Sequence, residues 1–165
     1  EPYRAFLEAK FGGKEQVSSL QKVVTEAGRD TGVEFDFERI SIRPNTLRAH
    51  RLIYRAQSTG RQPAEIEALV ERLFVAHFQR GEDIGDIATL AEIAAECGDR
   101  MDDVTEYLES TMDVDQVRSL FDGISGQGIS GVPLFVIQDR LAVPGAQSSA
   151  VLAAAILQAM EAPSS

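Results

Sequence analysis

The side chains able to do acid–base, nucleophilic or metal chemistry beyond simple charge are few: one cysteine, Cys97, and two histidines, His50 and His77. A single cysteine excludes an internal disulfide, a CxxC motif and any multi-cysteine zinc site within these residues. Cys97 follows Ile93-Ala94-Ala95-Glu96 at the end of a helical pattern. There the negative pole of the helix opposes a thiolate, so Cys97 reads as a small hydrophobe rather than a nucleophile. His77 lies in Phe74-Val75-Ala76-His77-Phe78 with no cysteine or second histidine at ligand spacing, and reads as a structural residue. His50 falls on a helix that Asn45 is placed to cap, and a packed or hydrogen-bonded role is the first reading for it.

Two further segments have backbone chemistry. Pro133 stands immediately before the apolar run Leu134-Phe135-Val136-Ile137, and because proline cannot donate to a sheet ladder it marks a strand's first residue or a special turn. A trans proline at a loop-to-strand junction is the ordinary reading. Were the Val132–Pro133 peptide cis, the backbone of Val132 would be presented to an extended ligand. Gly145-Ala146-Gln147 reads as a turn leading into a helix, whose N–H groups could also receive a carboxylate.

These residues must be positioned by a mostly helical chain. Apolar spacing predicts helices over Tyr3 to Phe11, Lys14 to Thr31, Asn45 to about Thr59, from Pro63 to a stop near Gly81, and Ile87 to Cys97 with Asp86 as its cap. Val17, Leu20, Val23, Val24 and Ala27 form one stripe, and Ile66, Leu69, Val70, Leu73, Phe74 and Phe78 another; both are expected to be core. Alternation in Val33-Glu34-Phe35-Asp36-Phe37 predicts a short extended edge piece. Shorter helical patterns follow through Val104 to Leu108 and Val114 to Phe121. Glycines at 123, 126, 128 and 131 then mark the main boundary. Beyond it come a strand over Leu134 to Ile137, a tight connection, a partner strand over Leu141 to Val143 and a helix from about Ser148 to Met160.

The 165 residues carry 26 Asp and Glu against 16 Lys and Arg, a net charge of -10, which disfavours a phosphate-backbone partner. No apolar run approaches the roughly 20 residues that span a bilayer, so no membrane partner is expected. Glu1-Pro2-Tyr3-Arg4 carries no secretory pattern, and a lone thiol suits a reducing compartment, so the expected location is cytoplasmic.

Two segments carry a resemblance across nearly the whole chain. Pro44-Asn45-Thr46-Leu47-Arg48-Ala49-His50-Arg51-Leu52 resembles the PNTxxAHRL segment of DsbA-like thioredoxin-fold oxidoreductases of the FrnE type. Ile129-Ser130-Gly131-Val132-Pro133-Leu134-Phe135-Val136-Ile137, followed by Pro144-Gly145-Ala146-Gln147, resembles the GVSGVPxFVI and SGAQ segments of that family. The resemblance implies an α/β thioredoxin-like fold with a large inserted all-helical domain. The N-terminal strand, CxxC helix and strand are missing here, so the chain should be mostly α-helical with a C-terminal β-hairpin and helix. Residues 1–122 would be the helical insertion, with 1–12 as a linker helix, and 123–165 the strand–strand–helix part of the thioredoxin-like domain.

The same resemblance implies a thiol-disulfide oxidoreductase whose substrate, a thiol or disulfide on a peptide or on glutathione, is held at a cis-proline loop of Gly131, Val132 and Pro133. Asn45, His50 and Gln147 would face that site. No catalytic residue, metal ligand or cofactor is expected within the chain, and the redox CxxC is expected before residue 1, because dithiol exchange needs a second thiol to resolve the mixed disulfide. A glutathione-dependent isomerase or transferase resembling 2-hydroxychromene-2-carboxylate isomerase and the kappa-class transferases is the alternative, with glutathione as substrate or co-substrate. A redox-inactive helical interaction module is the third reading. A lone two-stranded hairpin is marginal in water, so its strands should seek others, including those of a second copy in a homodimer.

Overall fold

The structure, a computed structural model, describes residues 1–126 and 132–161. Their contacts divide them into two compact units, Glu1–Ser119 and a second beginning at Leu120. The first contains α1 (Tyr3–Phe11), α2 (Lys14–Asp30), a 3-10 turn (Phe37–Arg39), α3 (Leu47–Ser58), α4 (Pro63–Phe78), α5 (Ile87–Glu96) and α6 (Met101–Glu109). Helix α7 (Val114–Gly126) runs across the division. The second unit holds β1 (Leu134–Ile137), β2 (Leu141–Pro144) and α8 (Ser149–Glu161).

The ends of the helices follow from local chemistry. Gln62 and Glu65 form a reciprocal capping box at the start of α4, with Pro63 in the first turn, so two orphan amides are satisfied. Asp86 caps α5 by accepting from Thr89 N at 2.9 Å and Thr89 Oγ1 at 3.2 Å. These hydrogen bonds favour the ionised carboxylate and pull the Asp86 pKa down, the Thr89 amide contributing most. Asn45 stands one residue ahead of the N-cap Thr46, and its Oδ1 accepts from Leu47 N at 3.1 Å. Gly81 has a φ of +68°, and a Cβ there would fall on the Arg39 carbonyl.

Four helices supply the core of the first unit. Ala49, Leu52 and Ala56 of α3 pack with Leu69, Leu73 and Ala76 of α4, with Leu90, Ala91, Ile93 and Ala94 of α5, and with Val104, Tyr107 and Leu108 of α6. Burial of these side chains is the main favourable contribution to folding of the unit. Within it sits a cation held by four hydrogen bonds. The Arg51 guanidinium, 3% exposed, donates to the carbonyls of Tyr107 (2.7 Å), Leu108 (3.1 Å), Ser110 (3.0 Å) and Met112 (2.9 Å). These are carbonyls that the end of α6 leaves without helical partners or that belong to the turn beyond it, and a positive charge suits that pole. The Tyr107 hydroxyl lies 3.1 Å from the Arg51 carbonyl and 2.9 Å from Asp113 Oδ2. Burial, and then its bond to Asp113, push its pKa up to about 12.

Two expectations from the sequence change. The Val33 to Phe37 segment is not a strand. It runs without regular structure to Asp36 and enters the 3-10 turn only at Phe37; Phe35 and Phe37 stack at 5.3 Å and both meet Phe78 edge-on, while Asp36 N donates to Phe78 O at 2.8 Å. Buried Gly28 of α2 leaves room for the Phe35 ring, which a Cβ would strike. The α2 stripe is also not core throughout, for only Val17 of its five residues is buried, while Leu20, Val23 and Val24 are exposed. Likewise Phe74 of the α4 stripe is 57% exposed. Periodicity identifies an apolar face but not which part of it a neighbour covers.

In the second unit β1 and β2 pair antiparallel, Leu134 opposite Pro144 and Ile137 opposite Leu141. A three-residue connection, Gln138 to Arg140, joins them; Gln138 and Asp139 turn the chain with left-handed φ of +52° and +53°, and Arg140 N donates to Ile137 O at 3.1 Å to close the turn. Helix α8 packs on both strands and buries Ala155 and Ala159.

Replacing Arg51 by Leu would remove a donor from four carbonyls, of which that of Tyr107 keeps Ser110 Oγ at 2.7 Å, and should lower stability by about 3–5 kcal/mol, whereas Lys, with one ammonium in place of the fork, should lose less. Urea unfolding of the two variants checks the order. Asp86→Ala should cost about 1 kcal/mol at pH 7. Because the folded pKa is depressed, that contribution is present above the ordinary aspartate value and disappears as the pH falls through the folded one. The gap between wild type and variant in thermal melts should therefore narrow below about pH 4.

Candidate functional site

The second unit gathers the loop before β1 and the turn after β2 at the same end of the hairpin. The Val132–Pro133 peptide is cis. Val132 is 90% exposed, so its side chain contributes nothing to the core and its loop stands at the surface. Pro133 is fixed from the opposite strand, its carbonyl accepting from Gly145 N at 2.8 Å. Gly145 takes a φ of +80°, which favours glycine, and Gln147 Nε2 donates to Pro144 O at 2.9 Å. Val132, Pro133 and Gln147, expected from the sequence to belong to one site, thus share one end of the strand pair. Gly131 lies outside the described residues.

Asn45 and His50 belong to the first unit. Asn45 is spent on the start of α3. His50 lines a groove of about 780 Å³ between α1, α3 and α4, whose other walls include Tyr3, Phe6, Phe11, Phe74 and His77. Burial lowers the pKa of His50 below the ordinary histidine value. His77 is buried, meets Tyr3 edge-on at 5.9 Å and Phe78 at 4.7 Å, and its pKa is also lowered, chiefly by burial. Both imidazoles are therefore biased toward the neutral form. The sequence reads His77 as a structural residue and does not reveal the groove, because Phe74 falls on a stripe read as core.

Cys97 closes α5. Its amide donates to the carbonyls of Ile93 (3.2 Å) and Ala94 (3.0 Å), and its own carbonyl accepts from Arg61 Nη2 at 2.8 Å. Burial is the largest influence on the thiol and raises its pKa, outweighing the nearby Arg61. A partly buried thiol with a raised pKa at a helix C-terminus is a poor nucleophile.

A family model described as DSBA-like thioredoxin domain matches residues 6–157. The chain belongs to the DsbA-like thioredoxin-domain family. The crystal structure of a probable DsbA oxidoreductase from Streptomyces coelicolor superposes with a TM-score of 0.88 at 25% sequence identity, covering 100% of this chain and 70% of that one. No curated protein matches. The DsbA-like fold here is mostly helical and ends in the β1–β2 hairpin and α8. The family is of the thiol-disulfide oxidoreductase type, while this chain holds one cysteine.

Alkylation of Cys97 by iodoacetamide at pH 8 should run several-fold slower than that of a free cysteine and should accelerate to the free rate in denaturant. The 165-residue chain should also give no catalysed reduction of insulin by dithiothreitol above the uncatalysed rate, with Cys97→Ala indistinguishable from it.

Proposed function

We propose that the chain is the substrate-holding portion of a thiol-disulfide oxidoreductase of the FrnE type. In this reading the loop at Val132 and Pro133 receives the disulfide-bearing segment, and a pair of cysteines outside these residues exchanges electrons with it. The observation that carries the proposal is the placement of Val132: a 90% exposed apolar residue on a loop anchored from behind by the Pro133–Gly145 hydrogen bond, in a DsbA-like fold. An exposed backbone of this kind can pair with an extended peptide as an added strand does, main-chain hydrogen bonds giving affinity and the side chain at Val132 adjusting selectivity.

The chemistry divides accordingly. One thiolate attacks a sulfur of the substrate disulfide, forming a mixed disulfide and releasing the other substrate sulfur as a thiolate. The second enzyme thiol then displaces the first substrate sulfur, so the enzyme leaves as a disulfide and the substrate as a dithiol; the reverse order oxidises a substrate dithiol. Cys97 alone cannot complete either direction. The Val132 loop accelerates the exchange by orientation, holding the substrate sulfur in line with the attacking one. Gln147, with its amide nitrogen committed to Pro144, keeps the neighbouring turn in shape.

In a protein carrying the cysteine pair, Val132→Arg should change the KM for a disulfide peptide several-fold. The thermal midpoint should move by no more than about 2 °C, since surface substitutions rarely exceed about 0.5 kcal/mol. Steady-state kinetics with calorimetry separate the two. Unchanged kinetics, or a gene product with no cysteine pair, removes the loop from the function.

A further inference from the structure

The groove between α1, α3 and α4 holds His50, which the family resemblance expects to face the disulfide site, yet the reading above gives the groove no occupant. Its volume of about 780 Å³ falls in the range of sites that enclose a small organic ligand. Phe11 and Phe74 line it while 43% and 57% exposed, an unusual cost for two large rings facing one cavity. The lining offers few polar groups, so a peptide laid in it would bury backbone amides without partners, whereas a hydrocarbon would bring none to satisfy.

The charges around it are of one sign. Lys10 and Arg43 line the groove and no Asp or Glu does, in a chain whose net charge is -10. Both cations converge on the Phe6 ring, Arg43 at 3.9 Å and Lys10 at 5.8 Å from its centroid, and Lys10 also lies 5.3 Å from that of Phe11. Arg43 additionally contacts Glu1 Oε2 at 3.3 Å, an exposed pair that contributes little and that an incoming carboxylate can replace. The two imidazoles in the wall, held toward neutrality, leave Lys10 and Arg43 as the source of positive charge.

We propose that this groove binds an aliphatic monocarboxylate, its hydrocarbon chain between the Phe74 and Phe11 rings and its carboxylate on Lys10 and Arg43. The ligand is held there and not transformed.

Calorimetric titration of the full chain with dodecanoate, below its micelle concentration, tests it against dodecanol and dodecyltrimethylammonium. Saturable one-to-one binding of dodecanoate is expected, with the cation bound at least about tenfold more weakly. The double variant K10E/R43E should weaken dodecanoate by about tenfold or more while leaving dodecanol within about twofold. Phe74→Asp, at an exposed position and checked for fold by circular dichroism, should abolish both. Equal affinity for the three amphiphiles, indifference to the charge reversals, or a dimer that Phe74→Asp dissociates would each overturn the assignment, the last by showing that a second copy fills the groove.

Discussion

A charged group taken out of water must find partners for the donors it carries, and in the helical unit Arg51 does so through four hydrogen bonds from its five N–H groups. Its fork reaches four carbonyls at and beyond the end of α6, and its own carbonyl lies beside the Tyr107 hydroxyl from the same helix. Each side supplies what the other lacks: α6 ends with carbonyls that need donors, and α3 carries at Arg51 a buried cation with no ion pair among the described residues. The arrangement leaves little freedom in how α3 and α6 meet, because a shift of either helix would strip several hydrogen bonds at once. The apolar side chains of α3, α4, α5 and α6 supply the larger energy; Arg51 adds directional bonds that tie α3 to the end of α6.

The second unit relies on a different device. Two four-residue strands offer little area, so their order comes from local closure: the left-handed pair Gln138 and Asp139 at one end, and the Pro133–Gly145 and Gln147–Pro144 hydrogen bonds at the other. Helix α8 then covers the strands with small residues, Ala155 and Ala159. Rigid closure behind Pro133 and near-complete exposure of Val132 go together, since a loop can present its backbone steadily only when its base is held by something other than the ligand.

Much of this was legible because it is local. Asp86, Pro63, Gly60 and Gly98 announce helix ends through side-chain or backbone preferences acting within a few residues, and Pro133 ahead of a β-branched and aromatic run announces the strand. The two segments around Asn45 and Pro133 carried the family. What could not be read depends on distant partners. Arg51 meets residues 56 to 61 positions further along the chain, and nothing in Ala49-His50-Arg51-Leu52 distinguishes a buried guanidinium from a solvated one. The Val33 to Phe37 alternation does put both rings on one face, as a strand would, but Asp36 spends its amide on the Phe78 carbonyl at the end of α4 and no strand among the described residues pairs with the segment, which sequence alternation alone does not reveal. Phe74 and Phe11 were indistinguishable from core, because helical spacing does not reveal where a neighbouring helix stops.

Gly81 has a reach beyond the end of α4. Its backbone lies so close to that of Arg39 that no side chain, however small, fits between them, and its left-handed φ discourages a substitute independently. In evolutionary terms the position is closed: drift at 81 can proceed only if the segment around residue 39 is rebuilt in the same lineage. Position 81 in any related chain therefore serves as a marker for the path of a loop more than forty residues before it, and a chain with a side chain there has taken another route between α2 and α3.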